Sequence, residues 1–339
     1  MGRSGLARPE TMTGSKPTIA LCVPAFNAEG FLGRLLESAR GQTVAFDEVW
    51  VYDDASSDGT ADLAVKYGAK VVRGTSNLGC AAGKNILARQ CTSLWLHFHD
   101  ADDALEPIFV ESALRWMMMP AGPDVVFFNY RSLCHETNAP LGSREFDAAA
   151  LRADALRYCL AQQINPFCGL YRRDAFLRAG GWDEDPDVLQ SEDQAGHLRL
   201  AIAGLRFDAD PMYAVINYVR SGSMTTGNLA GAQRSTFKVL QKAAALTPPQ
   251  YHAEIANRLW ITAGLSGAYN DWQNADRAAA LALRIAPNSA IPGSAWFGWL
   301  APRRPALALR IRERLIRLLR PGARAGAAYR QTPAPSPSP

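Results

Sequence analysis

Short apolar runs alternate with amphipathic segments through roughly the first third of the chain. Each run has the length of a buried strand and is rich in aliphatic and aromatic side chains. Between the runs, apolar residues recur at helical spacing, as Leu32 and Leu35 do, and Asp58 is a candidate N-cap for the second helix. The runs lie at 18–23, 48–52, 70–73 and 94–98. This alternation predicts an α/β fold, a mixed, mostly parallel sheet with helices on both faces.

The pattern changes towards the C-terminus. Further strands are predicted at 125–130, 168–172 and 213–218 and a helix at 195–205, after which the chain becomes alanine-rich and helical. We expect five regions: a disordered N-terminus at 1–16, a sheet domain at 17–228, a helical extension at 229–302, a basic amphipathic segment at 303–330 and a disordered tail at 331–339.

A faint helix–turn–helix repeat pattern lies within the extension, at 259–287. Ala275, Ala282 and Pro287 fit the second half of a tetratricopeptide-like unit, whereas the first half fits poorly. Because one such repeat cannot bury its own apolar face, a plain helical extension is the favoured interpretation.

Charge is distributed unevenly along the 339 residues. The net charge of +4 is too small to indicate nucleic-acid binding, but residues 303–330 hold nine Arg and one Glu. In this segment Leu307, Ile311 and Leu315 fall on one helical face. Two interpretations stay open: an interfacial helix on anionic lipid, giving peripheral membrane contact through 303–320, or a helix docked on the protein with its arginines in solvent.

Cysteine usage and hydropathy bear on the compartment. None of the six cysteines forms a CxxC pair, and several lie inside apolar runs, where cysteine behaves as a small buried hydrophobe. Residues 1–16 lack the apolar stretch of a signal peptide, and no run of about 18 apolar residues is present. We therefore expect a cytoplasmic protein, which would be peripheral at the inner face of the cell membrane under the first of the two interpretations of the basic segment.

Acidic residues follow two of the predicted strands. In a parallel sheet these strand ends share one edge, where ligands bind. Oxygen ligands of this kind suit Mg²⁺ or Mn²⁺, although the acidic run by itself could equally be a solvated turn. Lys84 after a glycine-containing loop and Phe26 after the first strand add a phosphate partner and a stacking surface, which together predict a nucleotide-diphosphate site. The acids are Asp53, Asp54, Asp100, Asp102 and Asp103.

Three other nucleotide or metal sites are excluded by their motifs. A dinucleotide-binding fold requires G-x-G-x-x-G after the first strand, where this chain has PAFNAEG. A phosphate-binding P-loop fails because Leu78 replaces its first glycine and Asn85 follows Lys84. A hydrolase H-x-H-x-D-H site would need Asp at Ala101, so we expect His97 to be buried against a helix and His99 to border the site.

Six stretches of the chain are VPAFNAEG (23–30), VYDDASSDGT (51–60), NLGCAAGKN (77–85), FHDADDALEP (98–107), LYRRDAFLRAGGWDED (170–185) and SEDQAGHLRLAIAG (191–204). Their order and spacing over roughly 200 residues resemble those of the family 2 glycosyltransferases of the GT-A fold. The resemblance implies an inverting enzyme that moves a sugar from a nucleotide-diphosphate donor, by default a UDP-sugar, to a hydroxyl of a sugar, lipid-linked or protein acceptor. Surface polysaccharide or glycolipid assembly is the implied pathway.

The resemblance also assigns residues to the donor. Phe26 stacks on or flanks the base, with Pro24 and Asn27 shaping that loop, and Asp54, or else Asp53, hydrogen-bonds the base. The remaining donor contacts that it implies are Lys84, Asp100, Asp102 and Arg220. A divalent cation, Mn²⁺ or Mg²⁺, is implied at Asp102 and Asp103.

The catalytic and acceptor roles follow in the same way. Asp193, beside Glu192, takes the position of the general base. Without the surrounding motifs, the preferred interpretation of Asp193 would be a carboxylate that is stabilised at a helix N-terminus. Gly181 and Trp182 line the acceptor side. One departure weakens the expectation of a metal: many relatives have His where this chain has Arg220, which could meet the pyrophosphate directly.

A sugar-nucleotide-binding relative without turnover, acting through its helical C-terminal region, is the alternative. The acidic cluster and Asp193 are both present, which argues against it.

Overall fold

A computed structural model describes residues 16–220, 228–292, 299–320 and 322. Nine strands form one sheet, in the order β3-β2-β1-β4-β8-β6-β9-β5, with β7 paired to β6. The strands are β1 (Ile19–Ala25), β2 (Glu48–Asp53), β3 (Lys70–Arg73), β4 (Trp95–Phe98), β5 (Ala104–Leu105), β6 (Val125–Cys134), β7 (Pro140–Arg144), β8 (Gly169–Arg172) and β9 (Phe207–Val219).

Eight helices accompany the sheet, and four more follow it within the described residues. The first eight are α1 (Glu29–Arg40), α2 (Thr60–Lys66), α3 (Cys80–Gln90), α4 (Phe109–Met117), α5 (Ala148–Ala153), α6 (Ala155–Ala161), α7 (Arg173–Arg178) and α8 (Glu192–Ile202). The last four are α9 (Leu229–Leu246), α10 (His252–Ala268), α11 (Trp272–Ile285) and α12 (Pro305–Leu319). The predicted α/β class and mixed sheet are confirmed.

The first four strands run parallel and place their carboxyl ends together. All seven residues of β1 are buried, as expected for a central strand covered on both faces. Ala25 at its end lies opposite Asp53 at the end of β2, and Cys22 lies opposite Phe98 at the end of β4. The loops after these strands therefore meet at one edge of the sheet, as predicted.

The other half of the sheet is antiparallel in part. β8 runs antiparallel to both β4 and β6, whereas β6 and β9 are parallel. β9 continues for thirteen residues and shifts register against β6 near Asn129, so its far end reaches β5 and the acidic turn before it. This long strand was predicted only over its second half, because Asp208 and Asp210 interrupt its apolar pattern.

The four C-terminal helices pack as a layer against the sheet domain and against each other. α10 and α11 form an antiparallel pair joined by a turn at 269–271, and α12 covers both. Their core includes Leu259, Trp260 and the alanines of α11. Within the described ranges, none of the helices combines the length and hydrophobicity that a bilayer span requires.

Several elements were not visible in the sequence. β5, β7, α4, α5, α6 and α7 are short, and most lie in segments with mixed polarity. The helix start at Asp58 needs correction: Gly59 is the N-cap of α2, and Asp58 lies one residue further out and accepts hydrogen bonds from Thr60. The disordered regions predicted at 1–16 and 331–339 fall, except for Lys16, outside the described residues.

Candidate functional site

The loop after β1 carries an exposed aromatic ring. Phe26 is 51% exposed although it directly follows a fully buried strand. Asn27 adopts a positive φ of 48°, and its side-chain oxygen accepts a hydrogen bond from the Ser57 amide at 2.9 Å. The loops after β1 and β2 are thereby joined, and Phe26 is left as a free flat surface beside them.

Two buried carboxylates follow at the end of β2. Asp54 accepts hydrogen bonds from the backbone amides of Leu78 at 2.7 Å and Gly79 at 2.8 Å, so it fixes the loop that leads into α3. Asp53 accepts a hydrogen bond from the Ser56 amide and stabilises its own turn. Each carboxylate keeps lone pairs for a further donor, such as a base N–H.

Lys84 on α3 brings a cation to the centre of this edge. Its side chain is 2% exposed, and its ammonium lies 3.5 Å from Glu192 and 4.0 Å from Asp193. Burial alone would lower the pKa of Lys84, but the sulfur of Cys80 and the carboxylates of Glu192, Asp100 and Asp193 raise it well above its usual range. The side chain is therefore a fixed positive charge.

Glu192 joins α8 to α3. One carboxylate oxygen faces Lys84, and the other accepts a hydrogen bond from the Ala81 amide in the first turn of α3 at 3.1 Å. A carboxylate at a helix N-terminus is stabilised by the unpaired amides and the dipole there. Glu192 is thus committed to holding α8 against α3, which leaves Asp193 as the carboxylate available for chemistry.

Asp193 lies in the first turn of α8 with 26% of its side chain exposed. Burial raises the pKa of Asp193 to about 7, with Glu192 and Asp100 adding to the rise and Lys84 opposing it. His197, one turn later, bridges the Asp193 carbonyl and the Tyr171 hydroxyl through its two ring nitrogens, each at 2.9 Å. A carboxylate with a pKa near neutrality, on a rigid turn, has the properties of a general base.

The three carboxylates of the acidic turn after β4 have different environments. Asp100 faces Lys84, and its pKa is raised by burial against the lowering effect of that ammonium. Asp102 is 31% exposed and lies 3.3 Å from Arg220. Asp103 is 2% exposed and accepts hydrogen bonds from the Tyr218 amide and the Asn217 side chain, so it fastens β9 to the turn.

Arg220 directly follows β9. Its guanidinium stacks on the ring of Phe31 at 4.5 Å, and its Nε lies 3.3 Å from Asp102. Nε is buried and has no hydrogen-bond partner of good geometry among the described residues. Arg220 thus adds a cation, already oriented, beside the partly exposed carboxylate of Asp102.

The glycine–tryptophan pair predicted on the acceptor side is held from beneath by Asn85. Asn85 accepts a hydrogen bond from the Trp182 amide at 2.8 Å and donates to its carbonyl at 2.9 Å and to Glu184 at 2.7 Å. Gly181 has a φ of 66° and passes so close to Asn85 that a Cβ would lie 2.3 Å from its oxygen. Trp182 is 2% exposed and lies under Lys84, 5.4 Å from its ammonium. It therefore supports the site from the core.

The residues of this edge suit a divalent cation that is held by one or two carboxylates. No cluster of three or more His, Cys, Asp or Glu side chains that could hold a metal occurs in the described part of the chain. The carboxylate of Asp103 already accepts hydrogen bonds from β9. The accessible oxygens are therefore those of Asp102, with Asp100 nearby. Mg²⁺ is commonly held by one or two carboxylates together with substrate phosphates and water, and these residues fit that arrangement.

The two strand histidines are both fully buried. His97 contacts Phe109 of α4 with ring centroids 4.1 Å apart, and its Nδ1 is 2.8 Å from the Gly169 carbonyl. Burial lowers the pKa of His97 to about 3 and that of His99 well below its usual range. Both imidazoles are therefore neutral, and the expected packing of His97 against a helix is found.

Several contributors were not identified from the sequence. Lys242 of α9 lies 2.8 Å from both Asp183 and Asp185, and Lys238 lies 2.9 Å from Asp187. These pairs fasten the extension to the loop that leads into Glu192. Only the basic character of α9 opposite an acidic loop could have indicated them, because pairing between distant segments leaves no local pattern.

Comparison with known proteins covers the first part of this site, because the region matched by a family model ends before Glu192, Asp193 and Arg220. A family model described as "Glycosyl transferase family 2" matches residues 20–179. A chondroitin synthase of Escherichia coli is 28% identical over 160 residues, 44% of this chain and 23% of the synthase. A putative glycosyltransferase EpsH of Bacillus subtilis is 31% identical over 134 residues, 38% of each chain. The chain thus spans well under two thirds of the length of these relatives.

Solved structures extend the likeness to most of the fold. S. aureus TarS in complex with UDP-GlcNAc superposes with a TM-score of 0.63 at 17% identity, covering 89% of this chain and 92% of that one. A mannosyltransferase of Pyrobaculum calidifontis, in complex with GDP-Man and Mn²⁺, gives a TM-score of 0.57 at 19% identity, covering 94% and 86%. At these identities the likeness concerns the fold.

Proposed function

Because a model of glycosyltransferase family 2 matches residues 20–179 and the chain has the GT-A fold, we propose that the protein is a member of this family that transfers a sugar from a nucleotide-diphosphate donor, with inversion, to a hydroxyl acceptor. The observation that carries the proposal is the position of Asp193, partly exposed in the first turn of α8 and 4.0 Å from the buried ammonium of Lys84, where burial raises the pKa of its carboxyl group to about 7. A base and a phosphate-binding cation at one sheet edge suit a displacement that expels a diphosphate.

The donor would lie along the ends of β1, β2 and β4. Phe26 offers a face on which a base can stack, and Asp54 or Asp53 offers an acceptor for a base N–H, with Pro24 and Asn27 shaping the pocket. The diphosphate would then face Lys84 and Arg220. A UDP-sugar is the donor we propose, as in the TarS complex, although the mannosyltransferase binds GDP-Man.

In the chemical step, the acceptor hydroxyl loses its proton to Asp193 as its oxygen attacks the anomeric carbon. The bond between that carbon and the diphosphate oxygen breaks, and the electron pair leaves with the nucleoside diphosphate. Lys84 and Arg220 are positioned to stabilise the developing negative charge. A divalent cation held by Asp102, with Asp100 beside it and Asp103 fixing the turn, would supply further stabilisation of that charge when bound.

Glu192, Gly181 and Trp182 have supporting roles in this proposal. Glu192 keeps α3 and α8 together, so that Lys84 and Asp193 keep their separation. Trp182 supports Lys84 from the core, and Gly181 shapes the loop on the acceptor side. The acceptor is a sugar, lipid-linked or protein hydroxyl, and surface polysaccharide or glycolipid assembly is the proposed context, which the similarity to a chondroitin synthase supports.

Peripheral contact of the basic segment with a membrane belongs to the same proposal. α12 is docked through Ala308, Leu309 and Glu313 but leaves Leu318 and Leu319 more than 70% exposed beside arginines. The docked interpretation therefore fits the first part of this helix, and the lipid-binding interpretation fits its exposed C-terminal end.

Asp193→Asn tests the proposed function. The amide cannot accept the proton, so we expect nucleoside-diphosphate release from a responsive sugar nucleotide and acceptor to fall about 10²–10⁴-fold, while nucleotide affinity is retained. Asp174→Asn is the matched control, because Asp174 is 60% exposed and pairs only with Arg178 among the described residues. Full turnover by Asp193→Asn would refute the assigned base.

A further inference from the structure

A cavity lies between the helical extension and the loop that leads into Glu192 and Asp193. It has a volume of about 360 Å³ and is formed by the 3₁₀ turn Pro186–Ser191, α9 and α11. This is within the size range of pockets that bind small molecules. The turn ends immediately before Glu192 and Asp193, so one wall of the cavity is formed by the segment that directly precedes the proposed catalytic residues.

The cavity has a basic lining. Arg234, Lys238 and Arg277 reach it, and Asp187 is the only acidic residue among the side chains that line it. Arg234 pairs with Asp271 at 2.8 Å and Lys238 with Asp187 at 2.9 Å. Arg277 is stacked 4.8 Å from the centre of the Phe237 ring, and among the described residues it forms no ion pair. The lining therefore carries more positive than negative charge.

One wall also carries an unused hydrogen-bond acceptor. Asn274 is 3% exposed, and its amide nitrogen donates to the Ser266 hydroxyl at 2.8 Å and to the Gln233 carbonyl at 3.2 Å. These bonds fix the orientation of the side chain. Its oxygen is buried and has no partner among the described residues. A buried acceptor without a partner costs free energy unless a donor, such as a ligand hydroxyl, reaches it.

Apolar surface completes the chemistry of the cavity. Leu189, which is 50% exposed, and the edge of Phe237, whose ring lies under Arg277, line it. Leu189 also reaches Gly79, in the loop held by Asp54, where a Cβ would lie 3.3 Å from its methyl group. A ligand that satisfies all three features needs an anionic group, hydroxyl donors and an apolar face.

We propose that this cavity is a subsite for an anionic sugar of the acceptor, bearing a carboxylate or a phosphate. Arg277 binds the anion, Asn274 accepts a hydroxyl hydrogen bond, and the ring lies against Leu189 and Phe237. The inference rests on the proposed function, because it supplies the acceptor side of that reaction. It also gives the extension a part in substrate recognition, since two of the three walls come from α9 and α11.

The test is equilibrium binding of simple probes to the full chain, followed by ligand-observed nuclear magnetic resonance. D-glucuronate and glucose 6-phosphate represent the two anions, and glucose is the neutral control. We expect both anions, or one of them, to bind at least about tenfold more tightly than glucose, since charge-assisted contacts with arginine exceed neutral ones. The probe that binds more tightly identifies whether the preferred anion is a carboxylate or a phosphate.

Arg277→Gln should weaken anion binding about tenfold, the loss of one charge-assisted contact, and Arg277→Lys should restore part of it. Arg284→Gln is the matched control, because Arg284 is exposed on the same helix and does not line the cavity. Equal affinity for glucose and the anions, or no effect of Arg277→Gln, would overturn the inference. So would complete displacement of the anion by UDP, which would place it in the donor site.

UDP binding to the same samples separates this inference from the proposed function. A chain that binds UDP but neither anion retains the proposed function without the subsite. A chain that binds neither UDP nor the anions contradicts both.

Discussion

Neighbouring acidic residues differ in role because their surroundings differ. Asp102 and Asp103 are adjacent, yet Asp103 is buried and hydrogen-bonded to β9 whereas Asp102 is accessible and paired with Arg220. Glu192 and Asp193 divide in the same way, one holding α3 and the other left beside Lys84. In each pair the side chain with fewer fixed hydrogen bonds is the one to which the proposed function assigns a contact with substrate or metal.

The proposed base gives transfer a defined pH dependence. Asp193 accepts a proton only as the carboxylate, and its pKa is raised to about 7. We expect kcat/KM to fall about tenfold for each pH unit below about 7, because the protonated fraction grows. The measurement is the initial rate of nucleoside-diphosphate release from pH 5 to 9. A rate that stays constant between pH 5 and 7 would show that another group accepts the proton.

Asp102 gives a prediction about metal. Nucleotide binding raises the thermal unfolding midpoint by mass action, and a cation shared with the diphosphate should increase that shift. We expect Mn²⁺ to enlarge the shift caused by UDP, and Asp102→Asn to remove the increment while keeping the metal-free shift. Asp62→Asn is the control, on the exposed side of α2.

A shift that does not depend on metal would contradict the proposed cation site. If UDP gives the same shift with Mn²⁺ and with a chelator, the diphosphate is held by Lys84 and Arg220 without a cation.

At the scale of elements, the site depends on close contacts between helices and the loops that cross them. α8 passes so near the loop at 181–182 that a Cβ on Gly196 would lie 1.7 Å from the Trp182 ring. Trp182 in turn supports Lys84. α9 adds a second restraint through Lys238 and Lys242, so the loop before α8 is held from both sides.

Gly196→Ala tests this packing. Because the added methyl group must displace a buried ring, we expect a loss of about 1–3 kcal/mol in the free energy of unfolding. Gly30→Ala is the matched control: Gly30 is in α1 with nothing within 4 Å of its Cβ position, and we expect a small gain. Urea unfolding measures both. Equal stability of the two variants would mean that α8 and Trp182 do not pack as described.

At the scale of the whole molecule, the sheet domain and the extension contribute to one structure. The extension packs against the loop that leads into α8, and its last helix presents exposed leucines with arginines around them. Leu307, Leu315, Leu318 and Leu319 are all at least 40% exposed. Apolar side chains of this kind beside a basic surface are typical of helices that lie on anionic lipid.

Vesicle binding tests this surface. We expect the full chain to sediment with vesicles containing phosphatidylserine, less at high salt, and poorly with phosphatidylcholine alone. Replacing Leu318 and Leu319 together by Ser should weaken binding at least about tenfold, because their side chains can no longer be buried in the lipid. Leu246→Ser is the control, since Leu246 is 65% exposed at the end of α9.

Two results would contradict lipid binding: equal sedimentation of the double variant, or a concentration-dependent dimer that the double variant abolishes. The second would show that another copy of the chain covers this surface.

The local pattern of the sequence was sufficient to predict the strands that form the centre of the sheet and the residues at their ends. Strands β1 to β4 are short apolar runs with helical segments between them, and their parallel pairing brings Phe26, Asp54 and Asp102 to one edge. The order of the motifs also indicated the family, because spacing along the chain is preserved where the fold is.

Only the tertiary structure decided which side chains are free to act. The burial of Trp182, the use of Asp103 and Glu192 to hold other elements, and the raised pKa of Asp193 all depend on contacts between segments about 100 residues apart in sequence. The cavity between the turn at Pro186–Ser191 and the extension has the same origin. Desolvation and pairing are properties of the assembled surroundings, so the local order of residues does not encode them.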